Sequence, residues 1–319
     1  MSNPQIVDLS TLVAPRGQDF YAASELTRSL MPWSISKAKT AACPQQFIWQ
    51  YMEKHKKDEG LTTADTALRV GRAMHEIYEG TLKGGDPENE RQKAIMKNGF
   101  MSVDYDLFED LYKGVPWFMS QIDKFIRHFV QSETQAIDYL DLVKNRTLLV
   151  ERRFSLTDEF NDANDFYNND HKCFLRGVID VIIRTNDGKG CIVLDHKSSA
   201  YPNMKMVAEQ LRAYTIAAFA MFPDLEWTQC GIHFMALQEI KMTAAVTRNQ
   251  LRGECNAMHY YLTTQAVNVL RQTTDKAYYC KWCSWKTSCN MLRKQQRKEA
   301  KAAAKEASKL DTSNKNIES

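Results

Sequence analysis

Long apolar runs and a targeting segment are both lacking in this sequence of 319 residues. No stretch has the length and apolarity of a membrane helix, and the first residues, MSNPQIVDLSTLVAPRG, lack the basic start and apolar core of a secretory signal. We therefore expect a soluble intracellular protein with no membrane contact.

In that compartment thiols stay reduced, so the eight cysteines are not expected to form disulfides. Metal or cluster ligation is the alternative role for them.

The sequence also has little excess of either sign of charge. The chain has 42 Lys and Arg and 39 Asp and Glu. The resulting net charge of +3 neither indicates nor excludes a nucleic-acid-binding protein. Residues 291–319 hold eight basic and four acidic residues, a net of +4, and the other 290 residues hold 34 and 35, a net of −1. We expect this basic tail to be a solvated, partly disordered end; DNA contact is the alternative.

Two further motifs are missing. The sequence contains no internal repeat and no Gly-X4-Gly-Lys-Ser/Thr phosphate loop, which excludes repeat architectures and an ATP-driven motor of that class. The composition itself is ordinary for a globular protein, with 44% apolar and 25% charged residues, enough for one large core or two small ones.

The periodicity of apolar residues predicts an α/β protein. Helical spacing dominates from residue 35 to about 146 and returns over 203–222 and about 250–272. Short segments rich in Val, Ile and Phe predict strands over 150–156, 173–184, 190–198 and 227–238, with a fifth over 241–248. The Asp-Gly pair at 187–188 predicts a hairpin turn between the second and third strands.

A candidate catalytic group lies at the end of the third predicted strand. Asp195 and Lys197 are two residues apart and so share one face, and the hairpin can bring Asp180 alongside them. Two carboxylates can hold a hard divalent cation, which acidifies a bound water, and a lysine can orient that water or stabilise charge on a phosphate. The group therefore suits phosphodiester hydrolysis.

The alternative is a structural salt bridge, because an acidic residue two positions before a lysine occurs five times in this chain. The other pairs begin at Asp170, Asp187, Glu239 and Glu299. Spacing alone does not separate the two interpretations. The context favours Asp195, since only this pair follows a buried run and has an acidic residue on the neighbouring strand.

Three cysteines near the C-terminus form a second candidate site. Cys280, Cys283 and Cys289 are spaced CX2CX5C, which suggests zinc or an iron-sulfur cluster and requires a fourth ligand. Cys43 is the leading candidate for that ligand, although spacing alone leaves it undecided. Cys173, Cys191 and Cys230 lie in apolar strands and are expected to pack.

Three more polar residues are weak candidates when taken singly. Gln210 and Tyr214 are four residues apart on one helical face after the Asp195 strand, and His75 lies well inside the helix predicted over 63–82. Each has an ordinary alternative, as helix surface for the first two and as a partly buried helix histidine for the third.

The order of these motifs resembles a family, the RecB-like branch of the PD-(D/E)XK nucleases in its iron-sulfur subgroup. That subgroup includes AddAB-type nuclease domains and the CRISPR-associated adaptation exonucleases, and a phage exonuclease is a further match. The resemblance runs through SISKAKTAACPQQF, GRAMHEIYEG, GVIDVII, IVLDHKSS, EQLRAYTIAA and CKWCSWKTSC. About 60 helical residues after His75 and the tail carry none of it, and Ile179 replaces the proline of the family name.

The resemblance implies a fold and a domain layout. The fold is α/β and restriction-endonuclease-like, a mixed central sheet flanked by helices, with a helical insertion and a cluster joining the N- and C-terminal segments. The implied layout is an extension over 1–30, one nuclease domain over 31–290 with an insert at about 86–148, and the basic tail over 291–319. The cluster-binding segments lie around residue 43 and at 280–289.

The resemblance also implies roles for individual residues. The metal ligands are His75, Asp180, Asp195 and the backbone carbonyl of His196, with Mg²⁺ or Mn²⁺ as the ion. Lys197 is the catalytic lysine. The residues that support the active site and contact DNA are Gln210 and Tyr214, Glu151 is an accessory acidic residue, and the ligands of a structural 4Fe-4S cluster are Cys43, Cys280, Cys283 and Cys289.

The implied function is a metal-dependent DNA exonuclease acting in recombination, repair, replication or CRISPR adaptation, in the cytoplasm of a bacterial, archaeal or phage-infected cell. DNA with single-stranded or duplex ends is the implied substrate, and a homo-oligomer or recombination and replication proteins are the partner classes. The alternative is a non-catalytic nucleic-acid-binding or assembly subunit that retains the fold and cluster. A zinc-stabilised interaction protein is a third hypothesis.

Overall fold

The computed structural model describes most of the chain between residues 31 and 271. The described residues are 31–54, 63–131, 134–164, 166–167, 173–201, 203–271, 283, 285, 287–289, 297–298 and 301. The predictions for the extension 1–30, for Cys280 and for nearly all of the tail therefore lie outside the described residues.

A six-stranded mixed sheet forms the centre of the fold, as predicted. Its strands are β1 (Leu148–Leu156), β2 (Leu175–Arg184), β3 (Gly190–Lys197), β4 (Trp227–Phe234), β5 (Glu239–Met242) and β6 (Val246–Thr247). The order is β1-β2-β3-β4-β5, with β6 paired to β4. Only β3 and β4 run parallel, and the other neighbouring pairs are antiparallel.

Nine α-helices are found in the described residues. They are α1 (Ile35–Thr40), α2 (Pro44–Phe47), α3 (Thr63–Leu82), α4 (Pro87–Asn98), α5 (Ser102–Tyr112), α6 (Val115–Phe129), α7 (Tyr139–Lys144), α8 (Met204–Met221) and α9 (Leu251–Arg271). No described helix is long and apolar enough to cross a membrane.

Local sequence explains where several elements begin and end. The side chain of Asp86 accepts a hydrogen bond from Asn89 N at 3.0 Å and caps α4, whose first residue is Pro87. That helix ends at Gly99, which has a φ of 59°, a left-handed conformation that glycine adopts without strain. Gly188 supplies a φ of 70° in the turn between β2 and β3.

The helical insertion forms part of the core. A cluster of fully buried side chains joins α3, α6 and one face of β2 and β3, including Met74, Tyr78, Phe118, Val181 and Leu194. The long helix α8 packs against the sheet as well, and its Leu211 and Ile216 are buried. Helices therefore cover the sheet that carries the polar residues of the site.

Two details differ from the sequence-based expectation. The strand predicted over 227–238 ends at Phe234, because a 3-10 turn over Met235–Leu237 follows and Gln238 adopts a left-handed conformation with a φ of 48°. The single strand predicted over 241–248 is instead the pair β5 and β6.

The chain divides into two compact units. One comprises Met1–Lys39 and Leu61–Val267, and the other comprises Thr40–Gly60 and Asn268–Ser319. The first unit contains the sheet and all the predicted metal-binding and catalytic residues. The second contains the four cysteines predicted to hold a cluster.

Candidate active site

The hairpin of β2 and β3 brings Asp180 and Asp195 together. Val181 pairs with Leu194, so the next residues on each strand lie opposite one another. The backbone N–H of His196 donates a hydrogen bond to Asp180 Oδ2 at 2.6 Å. Both carboxyls are buried, with Asp180 6% and Asp195 1% exposed.

Two buried carboxyls this close cannot both ionise without cost. Burial and the nearby Asp195 carboxylate raise the pKa of Asp180 from 3.8 to about 7. A divalent cation between them would remove this cost, since it favours the ionised form of each group. The electrostatics of the pair therefore suit a cation site.

His75 reaches the same place from α3. Its Nδ1 lies 3.6 Å from Asp180 Oδ2 and 3.7 Å from Glu151 Oε1. Burial lowers the pKa of His75, but a hydrogen bond to Glu151 and the charges of Asp180 and Asp195 outweigh it, so that the pKa is raised overall. The helix that sequence periodicity predicts thus carries one nitrogen donor into the acidic cluster.

Glu151 is a central member of the cluster, although from sequence it is only an accessory. The register of β1 on β2 places it opposite Asp180. Its φ of 51° is unusual for a residue other than glycine inside a strand, and such strain is concentrated at functional sites. A strained backbone at one position cannot be recognised from the order of residue types. The residues around Glu151 have the apolar pattern of an ordinary strand.

A metal ion fits this donor set. One donor atom each from His75, Glu151 and Asp180 lie within 4.8 Å of one another. One nitrogen and several carboxylate oxygens suit Mn²⁺ and, less closely, Mg²⁺. Asp195 belongs to the same site but is not one of these three; its buried Oδ2 contacts the ammonium of Lys197.

Lys197 completes the group at the end of β3. Its Nζ lies 2.5 Å from Asp195 Oδ2, and its side chain is 30% exposed. Since Asp195 is almost fully buried, the ammonium lies at the boundary between the carboxylates and the solvent. It is thus placed to meet a ligand that enters from outside.

Two residues of α8 hold the other oxygen of Asp195. Gln210 Nε2 donates to Asp195 Oδ1 at 2.8 Å, and the Tyr214 hydroxyl donates to the same atom at 3.0 Å. Burial and the neighbouring carboxylates raise the pKa of Tyr214 well above 10, so its hydroxyl stays protonated and remains a donor. The structure therefore brings both weak sequence candidates to the carboxylate.

The side chain of His196 points to the opposite face of β3 from Asp195 and Lys197, as alternation along a strand requires, and its ring makes a T-shaped contact with that of His75, with 5.4 Å between centroids. The ring stacks on Tyr78 with 4.7 Å between centroids, and its Nδ1 lies 3.0 Å from Nδ1 of His233 on β4. Burial lowers the pKa of His196 well below 6.5 and that of His233 to about 3, so both rings are neutral. Only the backbone of His196 faces the carboxylates.

A cavity of about 500 Å³ opens over the site. Its lining includes His75 and Glu151, the end of β3 at Lys197, and the exposed face of α3 with Arg72. Lys97 of α4 also lines it and forms an ion pair with Glu76 at 2.9 Å. The helical insertion thus supplies part of the rim.

The cysteines predicted to pack do so. Cys173, Cys191 and Cys230 are buried, and burial raises the pKa of the Cys191 and Cys230 thiols to about 12. Cys43, Cys283 and Cys289 are half-buried. Among the described residues, which exclude Cys280, no group of three cysteines lies within ligand range of a single metal ion.

Comparison with known proteins identifies one family. The family model described as the PD-(D/E)XK nuclease superfamily matches residues 32–290. No curated protein matches the chain.

Two solved structures show distant similarity. One is a protein from Eubacterium rectale described as a "putative exonuclease", with 12% identity and a TM-score of 0.40, covering 82% of this chain and 86% of that one. The other, SSO0001, has 13% identity and a TM-score of 0.27, covering 79% of this chain and 93% of its own.

Proposed function

The chain belongs to the PD-(D/E)XK nuclease superfamily, and on that premise we propose that it is a metal-dependent exonuclease that hydrolyses phosphodiester bonds at DNA ends. The observation that carries the proposal is the convergence of three carboxyls, an imidazole and a lysine beside one cavity. Asp180, Asp195, Glu151, His75 and Lys197 come from four different elements.

The proposed metal site has ligands from both strands of the hairpin and from α3. His75, Asp180 and Asp195, with the backbone carbonyl of His196, would hold Mg²⁺ or Mn²⁺, and Glu151 lies within reach as a further ligand. The cation, when bound, acidifies water and offsets the negative charge that develops on the phosphate.

The chain's own residues position and stabilise the reacting groups. The Lys197 ammonium, 2.5 Å from Asp195, is placed to donate to a phosphate oxygen or to orient the attacking water. Gln210 and Tyr214 fix Asp195 by hydrogen bonds to one oxygen and leave the other directed into the site. In the overall reaction water adds its oxygen to phosphorus, the ester P–O bond breaks, and the leaving oxygen takes a proton.

A purified-protein assay tests this function. DNA labelled at one end is incubated with Mg²⁺ or Mn²⁺, and the products of wild type, Lys197→Ala and Asp195→Asn are compared. We expect progressive shortening by the wild type and at least a hundredfold loss in both variants. Lys189→Ala is the matched control, because Asp187 and Lys189 have the same spacing but lie in an exposed turn where Lys189 pairs with Glu226 at 2.7 Å.

The outcomes of this assay separate the alternatives. Undiminished digestion by both active-site variants would refute the assignment of the site. DNA binding by the wild type without any metal-dependent degradation would instead indicate the non-catalytic subunit.

The proposal extends to an iron-sulfur cluster on Cys43, Cys280, Cys283 and Cys289. Support comes from the grouping of Thr40–Gly60 and Asn268–Ser319 in one compact unit and from the buried Trp285, which lies between two of the cysteines in sequence. Ligands of one cluster bind different irons, so they are not expected to converge on one point as ligands of a single ion do.

Anaerobic purification tests the cluster. We expect a brown protein with broad absorbance near roughly 400 nm, which is lost in Cys43→Ser. A colourless protein that contains one zinc ion would support the zinc alternative. Cys255→Ser, at a buried position on α9, is the control.

A further inference from the structure

A second cavity lies along β1, next to the candidate active site. Its volume is about 310 Å³, and it lies beside the end of α3, the turn after α7 and the free edge of β1. Among the described strands β1 pairs only with β2; on its other edge Leu156 forms an isolated bridge with Asp162, and the stretch that lines the cavity, 148–153, pairs with no further described strand. Glu151 lines both this cavity and the active-site cavity, so the two meet at that residue.

The lining of this cavity is strongly basic. Lys83, Arg146, Arg152 and Arg153 line it, and Glu151 is its one acidic member among the described residues. Lys83 is already paired with Glu79 at 2.5 Å. Arg146 and Arg152 have no acidic partner within the described part of the chain, so their charge remains available to a ligand.

An aromatic platform adjoins the basic lining. The guanidinium of Arg153 lies 5.4 Å from the ring centre of Phe166 and 5.2 Å from that of Tyr167, and it donates a hydrogen bond to the Tyr167 hydroxyl. Arg176 lies over Phe166 at 5.4 Å. The Tyr167 residue is nevertheless 67% exposed, so its ring remains accessible.

Arginines beside an exposed aromatic ring match the chemistry of a nucleic-acid strand. Guanidinium groups bind phosphates in bidentate fashion, and a tyrosine ring stacks on a base that has left the duplex. The rise along a strand places Arg153 about 7 Å from Glu151, so the groove lies within a few nucleotides of the candidate active site.

We propose that this surface, formed by Arg146, Arg152, Arg153 and Tyr167 and termed the β1 groove, binds the DNA strand within a few nucleotides of the scissile phosphate. The arginines hold its phosphates, and Tyr167 stacks on one unpaired base. The proposal rests on the function proposed above and adds a binding subsite to it. It also requires the strand to be unpaired at that position.

Binding of fluorescent oligonucleotides to full-length protein tests the groove. All variants carry Asp195→Asn to prevent digestion, and affinity for single-stranded and blunt duplex DNA is measured by anisotropy. Tyr167→Ala should weaken single-strand binding about tenfold, and Tyr167→Phe should restore it. Arg152→Ala should lower the slope of log affinity against log salt by about 0.7, the value for one lost phosphate contact.

Matched controls lie on α9, which contributes no residue to the lining of the groove. Tyr260→Ala and Arg252→Ala remove an exposed tyrosine and an exposed arginine and should leave affinity and salt slope unchanged. The inference is overturned if Tyr167→Ala and Arg152→Ala bind as these controls do, or if Tyr167→Ala weakens duplex and single-strand binding equally. Circular dichroism confirms that each variant is folded.

A small substrate separates failure of the groove from failure of the proposed function. The p-nitrophenyl ester of thymidine 5′-monophosphate is too short to occupy the groove, so the Tyr167→Ala variant of the active protein should hydrolyse it at the wild-type rate while digesting long DNA more slowly. If the wild type hydrolyses neither substrate, the nuclease function fails. If both proteins digest long DNA equally, only the groove fails.

Discussion

The imidazoles of His196 and His233 form a buried hydrogen bond directly behind the candidate active site. Their Nδ1 atoms lie 3.0 Å apart, and the rings come from the parallel neighbours β3 and β4. Because both rings are neutral, one must carry its proton on Nδ1 and the other must accept it. The pair ties the strand that carries Asp195 and Lys197 to the centre of the sheet.

Replacing His233 with phenylalanine should destabilise the protein. The substitution His233→Phe keeps a ring against Phe118, whose centroid lies 4.4 Å away, but leaves Nδ1 of His196 buried without a partner. We expect a loss of about 1–3 kcal/mol in the free energy of unfolding, measured by urea denaturation. The exposed His128 provides the control His128→Phe, which should change stability little; equal effects of the two variants would contradict the argument.

Without divalent cations, stability should fall as the pH rises through the range in which Asp180 ionises. The folded-state pKa of Asp180, about 7, lies above its unfolded value of 3.8. Its contribution to stability is therefore fully present below pH 3.8 and is lost as the pH rises through about 7. The raised pKa of His75 acts in the same direction, since its contribution is complete below pH 6.5 and is lost above it.

Thermal unfolding of wild type and Asp180→Asn in EDTA isolates this effect. The stability of the variant relative to wild type should increase from pH 5 to pH 8, because an amide does not ionise. Adding Mn²⁺ should stabilise the wild type more at pH 8 than at pH 6, since the cation competes with the proton. If the difference in stability between the two proteins does not change with pH, the pKa of Asp180 is not raised.

The left-handed backbone of Glu151 predicts that its alanine and glycine variants differ in stability but lose metal affinity alike. At a φ of 51°, alanine retains the strain of a left-handed residue and glycine does not. Glu151→Gly should therefore be more stable than Glu151→Ala by about 1 kcal/mol in urea unfolding. Both variants should bind Mn²⁺ more weakly than wild type in a calorimetric titration, because both lack the carboxylate. An alanine variant as stable as the glycine variant would count against strain at this position.

Tyr214 should matter to the reaction through Asp195. Tyr214→Phe removes one of the two side-chain donors to Asp195 Oδ1, and a hydrogen bond to a charged group is worth about 1.5–3 kcal/mol. We expect DNA digestion to slow by about tenfold or more. The control is Tyr139→Phe, which removes the 2.5 Å hydrogen bond to Asp123 in the helical insertion. A similar loss of activity in both would indicate general destabilisation.

Much of the fold was predictable because its signals are local. The helix over 63–82, the hairpin that joins β2 to β3 and the helix after β3 follow from apolar spacing and turn residues. The end of β4 was not predictable, since Phe234 is followed by apolar residues that continue the pattern while the backbone turns. The pattern records which residues are apolar but not where a strand loses its neighbour.

By itself, the sequence determined the strand that carries Asp195 and Lys197, the strand that carries Asp180 and the helix that carries His75, because periodicity and turn chemistry act over a few residues. It could not choose among five acidic-X-lysine pairs by their spacing. Among the pairs that lie in the described part of the chain, those at 187, 195 and 239, only the Asp195 pair is packed beside a second buried carboxyl, which is a contact of the tertiary structure. Only the tertiary structure placed Glu151 opposite Asp180 and paired His196 with His233. Glu151 and Asp180 are 29 positions apart in the sequence, and His196 and His233 are 37 apart, so local patterns do not report these contacts.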